Sequence, residues 1–197
     1  MQKILILFAH PAFQRSRINK VLIQDLSNMQ GITFRDLYQI YPEMDIEIKA
    51  EQDLLEEHDI LIFHHPFYWY SAPAILKEWQ DLVLQHGWAY GSQGNALRDK
   101  QFLQVITTGA RRDAYCQKGN NRFTIRQLLA PYEQTANLCQ MKYLPPLIIH
   151  GTHTITKEEL LKHRTIYLDL LKRLRDEKIK LEDLAGVDYL NDYFTMK

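Results

Sequence analysis

Strands that alternate with helices along 197 residues predict an α/β fold, a three-layer sandwich on a five-stranded parallel sheet in the order 2-1-3-4-5. Three observations predict it. Lys3-Ile4-Leu5-Ile6-Leu7-Phe8-Ala9 is continuously apolar, as a parallel strand covered on both faces must be. Asp59-Ile60-Leu61-Ile62-Phe63 repeats that signature. Helical spacing follows such runs, over Ala74 to Val83 and again over Thr156 to Lys178. In this strand order a ligand sits at the carboxyl ends of strands 1 and 3, where the winding reverses.

The elements follow in order. His10-Pro11 stops strand 1, and Ser16 is an N-cap for a helix in which Ile18, Val21, Leu22 and Leu26 share a face and Gln30-Gly31 closes the run. Ile32 to Leu37 alternates as a partly exposed second strand. A long connection, Tyr38 to Ile48, leads to a short acidic helix over Lys49 to Glu57 and a third strand over His58 to His65. The Pro73–Gln85 helix carries proline near its first turn, where the missing N–H costs nothing. An aromatic loop, His86 to Asp99, precedes strand 4, Lys100 to Thr108, halted at Gly109. The polar loop Ala110 to Arg122 leads to a helix over Thr124 to Leu138, kinked or split at Pro131. Strand 5, Met141 to His150, holds Pro145-Pro146 and therefore belongs at an edge. Thr156 and Glu159 form a capping box for the last long helix. The chain thus divides into a domain over residues 1–178 and an extension over 179–197, whose apolar residues (Leu184, Val187, Tyr189, Leu190, Phe194) show no clear period. One role for that extension is packing across a dimer partner.

Composition excludes several function classes. Lys+Arg and Asp+Glu are both 24 and no basic run exceeds Arg111-Arg112, so nothing steers the chain to nucleic acid. The apolar segments are too short to span a bilayer, and strand 1 begins too early to leave room for a signal peptide, so the expected location is the cytoplasm. Cys116 and Cys139 have neither CxxC nor zinc spacing and read as reduced thiols. His64-His65, and likewise His150 with His153, lack a third ligand at metal spacing.

Chemistry concentrates in three loops at one sheet edge. The first, His10 to Ser16, lacks both GxGxxG and GxxxxGK[ST] and offers Ser16 with His10 and Arg15 nearby, a set that suits one phosphate. The second, His64-His65-Pro66-Phe67-Tyr68-Trp69-Tyr70-Ser71-Ala72-Pro73, holds four consecutive aromatics between prolines. Neither a strand nor a helix can aim four adjacent rings into one core, whereas a flat ligand can use them. The third, Thr107-Thr108-Gly109, lets hydroxyls and bare backbone approach the polar edge of a ring. Together the three suit flavin mononucleotide better than a free nucleotide.

The ordered set His10-Pro11 with Ser16 and Asn19, His65-Pro66 with Trp69-Tyr70, Pro73-Leu76-Lys77-Trp79-Asp81, Gly87-Ala89-Tyr90 and Thr107-Thr108-Gly109 resembles the NAD(P)H:quinone oxidoreductase (DT-diaphorase) family of flavodoxin-like flavoproteins. Within it, Tyr38-Tyr41-Pro42-Asp45-Ile46 and the stretch from Asn121-Arg122 to Leu144-Pro146 are similar to the bacterial ancillary proteins of glutathione-gated potassium-efflux antiporters and their general-stress relatives. The similarity runs over residues 3 to 175. It implies a homodimer with one flavin per subunit, FMN or, as the alternative, FAD, near the dimer interface. By position His10, Ser16, Arg17, Ile18 and Asn19 hold the phosphate end. Phe67, Tyr68, Trp69 and Tyr70 border the flavin ring, and Thr107, Thr108, Gly109 and Ala110 line its polar rim. NAD(P)H gives a hydride and leaves, and a quinone-like acceptor takes its place in a ping-pong cycle.

Mammalian members of that family carry a tyrosine and a histidine beyond the Thr-Thr-Gly motif that stabilise charge on the reduced flavin. Tyr115 falls on the first position and is the candidate catalytic residue, but Asn121 stands at the second and cannot supply an imidazolium. Ala110 replaces the second glycine. These departures motivate an alternative, a flavin-binding regulatory subunit of a potassium-efflux antiporter, peripheral at the inner face of the membrane.

Overall fold

The computed structural model describes residues 1–195; residues 196 and 197 of the expected extension lie outside the described part. Its sheet runs β2-β1-β3-β4-β5, all parallel, as the apolar patterning predicts. The central strands are β1 (Ile4–Phe8), β3 (Ile60–Pro66) and β4 (Gln101–Thr107), and every residue of β1 and β3 is buried. β2 (Ile32–Asp36) is the half-exposed edge. Strand alternation divides the core into two layers. Leu5, Leu7, Leu61 and Phe63 face the helices α3 (Ile48–Glu57), α4 (Ala74–Val83) and α6 (Ala130–Leu138). Ile4, Ile6, Ile60 and Ile62 face α1 (Arg17–Leu22) and α7 (Lys157–Arg175). Thr156 and Glu159 do form the capping box that opens α7.

Three local expectations need correction, and a fourth holds. α1 stops at Leu22, because Asp25 turns into the left-handed region at φ 67° and a separate 3-10 turn over Leu26–Asn28 keeps Leu26 buried. The connection after β2 opens with a one-turn helix, α2 (Leu37–Ile40), capped by the Asp36 carboxylate. The Thr124–Leu138 run is split as Pro131 predicts, with α5 (Ile125–Leu128) ending before that proline enters the first turn of α6. Strand 5 is broken at Pro145-Pro146 into β5 (Lys142–Tyr143) and β6 (Leu147–Ile149), both paired with β4, because neither proline can donate to the ladder.

The extension closes that edge on its own subunit. α8 (Leu190–Thr195) lies on β6, Leu190 N–H donates to Pro146 C=O at 3.0 Å, and the Asn191 amide both accepts from Ile148 N–H (2.9 Å) and donates to Ile148 C=O (2.8 Å). Leu184, Leu190 and Tyr193 join the α7-side core. The apolar residues that suggested packing across a partner therefore cover the chain's own exposed strand edge.

Candidate functional site

Register fixes what meets at the carboxyl edge of the sheet: Phe8 lies opposite His64, Pro66 opposite Thr107, and Thr107 opposite Ile149. The loops that leave β1, β3, β4 and β6 consequently surround one cleft of about 440 Å³. His10, Ser16, Arg17, Ile18, Asn19, Phe67, Tyr68, Thr107 and Gly109 all line it. Trp69, Tyr70, Thr108, Ala110 and Tyr115 do not. Two lining residues, Thr152 and His153, were missed. In sequence His153 suggests only a metal ligand, and among the described residues no group of three metal-ligating side chains exists. The strand order itself was the available signal, since it carries the loop after the last strand to the same edge.

Ser16 caps α1 by accepting from Asn19 N–H at 3.1 Å, which leaves its hydroxyl proton free. Asn19 is a brace. Its Nδ2 donates to Ser16 Oγ (3.1 Å) and Thr107 Oγ1 (3.3 Å), while its Oδ1 accepts from His64 Nε2 at 3.1 Å. Tyr167 O–H donates to His64 Nδ1 at 3.3 Å, so this chain of bonds requires a neutral ring. Complete burial provides one, pushing His64 down to about 3. Arg17 reaches across to the carbonyls of Thr152 (3.2 Å) and Ile155 (3.1 Å) and joins the first and last loops. The Arg15 side chain has no partner among the described residues. Burial holds His10 below its ordinary pKa, and its Nδ1 accepts from Ala12 N–H.

The aromatic stretch is a tight hairpin. Tyr68 and Ser71 exchange backbone bonds at 3.1 and 3.0 Å, and Trp69 and Tyr70 between them take φ of 49° and 64°. Positive φ at both central residues defines a type I′ turn, normally built from Asn and Gly, so two bulky aromatics here are strained. The turn divides the four rings. Phe67 and Tyr68 face the cleft, and Tyr68 meets His10 edge-on at 6.1 Å. Trp69 is 93% exposed and Tyr70 half exposed.

Tyr115 packs on Phe67 (6.0 Å between rings) and His150 (5.9 Å). Burial raises its pKa, partly offset by the Thr108 hydroxyl, so the phenol stays a donor. Thr108 O–H donates to Ala110 C=O at 2.8 Å, and its oxygen then accepts from His150 Nδ1 at 3.2 Å. Asn121 Oδ1 accepts from Tyr70 O–H at 3.3 Å. No helix among the described residues is long and apolar enough to cross a membrane.

A cleft at the β1/β3 switch point of a 2-1-3-4-5 sheet is the ligand position of the flavodoxin-like fold, and the model of that family (Flavodoxin_2) matches residues 2–171. The chain belongs to this flavodoxin-like family. It is 45% identical over 158 residues to general stress protein 14 of Bacillus subtilis, covering 80% of this chain and 90% of the relative. It is 46% identical over 165 residues to the glutathione-regulated potassium-efflux system ancillary protein KefG of Pectobacterium carotovorum, covering 84% and 90%. Among solved structures, one titled a thermophilic tryptophan halogenase from Streptomycin violaceusniger superposes with a TM-score of 0.82 at 42% identity, over 85% of this chain and 97% of that one. General stress protein 14 of Treponema denticola, solved in complex with FMN, gives 0.81 at 35% identity over 87% and 99%. An NADPH-quinone reductase from P. pentosaceus gives 0.78 at 32% identity over 85% and 96%.

Proposed function

We propose that the chain is an FMN-dependent NAD(P)H dehydrogenase of the quinone-reductase type, which reduces quinones or related electrophiles by two electrons. The observation that carries this reading is the composition of the β1/β3 cleft, polar and cationic at one end (Arg15, Ser16) and aromatic with small polar groups at the other (Phe67, Tyr68, Thr107, Gly109). The residues fit the cofactor. The unpaired Arg15 guanidinium, the free Ser16 hydroxyl proton and the first-turn N–H groups of Arg17 and Ile18 suit a phosphate. Gly109 fits too, because a Cβ there would lie 2.6 Å from His153 Nε2 and the imidazole would have to give way. When bound, the flavin supplies the hydride chemistry. This chain's part is to hold the phosphate, brace both loops through Asn19, orient a ring against Phe67 and Tyr68, and keep the Tyr115 phenol protonated near the rim. The FMN complex of the Treponema relative and the name of the quinone-reductase relative support the reading. The Phe67–Tyr70 hairpin at the mouth, with Trp69, Tyr70 and the exposed Phe123, suits a second copy of the chain over the cleft, so we read the protein as a homodimer. Steady-state kinetics with NAD(P)H and a soluble quinone test the activity; parallel double-reciprocal lines are expected for ping-pong exchange, and absence of flavin-dependent turnover refutes it.

A second reading is favoured by Asn121. Its carboxamide is bonded to Tyr70 at the place where the resemblance expects a charged imidazole, which leaves Tyr115 without that support. The chain would then be the flavin-binding ancillary subunit of a potassium-efflux antiporter, as the KefG name suggests. Full turnover without any effect on potassium efflux in vesicles carrying the antiporter counts against this.

A further inference from the structure

A second cleft, of about 400 Å³, lies on the far side of the loops that wall the first, between the segment after β4 and the start of α7. Two backbone bonds, Thr152 N–H to Thr108 C=O (3.0 Å) and Gly151 N–H to Ala110 C=O (3.0 Å), form the bridge that the two clefts flank. Arg111, His150 and His163 line the second cleft, and each has unused capacity. Arg111 has no side-chain partner among the described residues. His163 Nδ1 is buried with no hydrogen-bond partner. His150 Nδ1 lies 3.2 Å from Thr108 Oγ1, and its Nε2 has no hydrogen-bond partner among the described residues. The neighbouring groups are already occupied. Arg112 forms two bonds to Asp192 (2.6 and 2.7 Å), and the one lining carboxylate, Glu159, accepts from Thr156 N–H (2.8 Å) and O–H (2.9 Å). A buried polar atom without a partner is rare in folded proteins and costs stability until something pairs with it.

We propose that this second cleft is a binding site for a small oxyanion, a sulfate-, phosphate- or carboxylate-bearing molecule held by the Arg111 fork with His150 and His163. An arginine fork matches the paired oxygens of all three groups. Burial lowers both histidines; Arg112 and His163 push His150 down further to about 4, the Ala110 backbone and Asp113 oppose that shift in part, and Glu159 opposes the one at His163. A bound anion favours the protonated rings, so binding takes up protons and tightens as pH falls.

The test uses the purified protein saturated with FMN, so that the first cleft is filled, with sulfate as probe in one titration and acetate in another. The ring-proton NMR signals of His150 and His163 report occupancy. The expected result is saturable movement of both signals, affinity at least fivefold higher at pH 5.5 than at pH 8, and at least tenfold weaker binding in Arg111→Ala, an exposed position whose loss leaves the fold intact. A response to sulfate alone assigns a tetrahedral head group, and one to acetate alone a carboxylate; either supports the site. Unsaturable drift of the signals, unchanged affinity in Arg111→Ala, or affinity independent of pH overturns it. Flavin uptake is read separately from the visible spectrum, and protein that takes up no flavin is titrated as isolated with Arg15→Ala as a control for the first cleft.

Discussion

Glu51 is fully buried, yet it accepts from Arg35, from Tyr41 O–H at 2.7 Å and from Trp79 Nε1 at 2.9 Å. Burial and then the bond to this carboxylate push the Tyr41 phenol up to about 12. Removing the acceptor strands three donors, so Glu51→Ala is expected to cost about 3–5 kcal/mol in denaturant unfolding. In sequence this segment is a short acidic helix and nothing more, since the partners of Glu51 come from β2, the following turn and α4. Capping was legible at Ser16 and Thr156 because a cap is made by residues three apart. A second prediction concerns His64 and His65, both fully buried and lowered to about 3 and about 4. His65 Nδ1 donates to Pro66 C=O and Nε2 accepts from Gln104, so it too is held neutral. Folded pKa values below the unfolded 6.5 mean that the unfolded chain binds the protons first. Each ring therefore removes about 1.4 kcal/mol per pH unit as pH falls from 6.5 towards its folded value. Unfolding free energies at pH 7.5 and 5 should differ by about 2 kcal/mol less in His65→Gln than in the parent.

At the scale of elements, the hairpin after β3 carries strain that a single side chain does not explain. Replacing Trp69-Tyr70 by Asn-Gly is expected to raise stability by about 1–2 kcal/mol in thermal unfolding, because both positions then suit positive φ. The same change removes the exposed rings and should lower affinity for an aromatic acceptor. The stretch was legible as a loop made for a flat ligand, but the division of its rings was not. That division depends on the two left-handed residues, which turn Trp69 to solvent while Phe67 and Tyr68 line the cleft. The tail was the least legible element. Its apolar residues follow no single period because they serve a 3-10 turn, an irregular stretch and the short α8. Leu190→Ala, at a fully buried position on β6, is expected to cost about 2–4 kcal/mol and to expose the sheet edge, seen as faster amide exchange at Ile148.

For the whole molecule, five apolar or alternating runs separated by helical spacing were enough to give strand order, layers and the edge where loops converge. What they could not give is distance across the edge. Thr152 and His153 are over 130 residues from Ser16 in sequence, and they join the cleft only because β6 pairs with β4 and Arg17 ties the loops together. We propose that this cleft holds FMN by its phosphate at the Arg15–Ser16 end. Flavin-free protein titrated with FMN, followed by absorption and by quenching of flavin fluorescence, tests it most directly. One FMN should bind per chain, Arg15→Ala should weaken binding about tenfold, or about 1.4 kcal/mol, and NAD(P)H should bleach the bound chromophore. No uptake of FMN, or uptake that Arg15→Ala leaves unchanged, would contradict it.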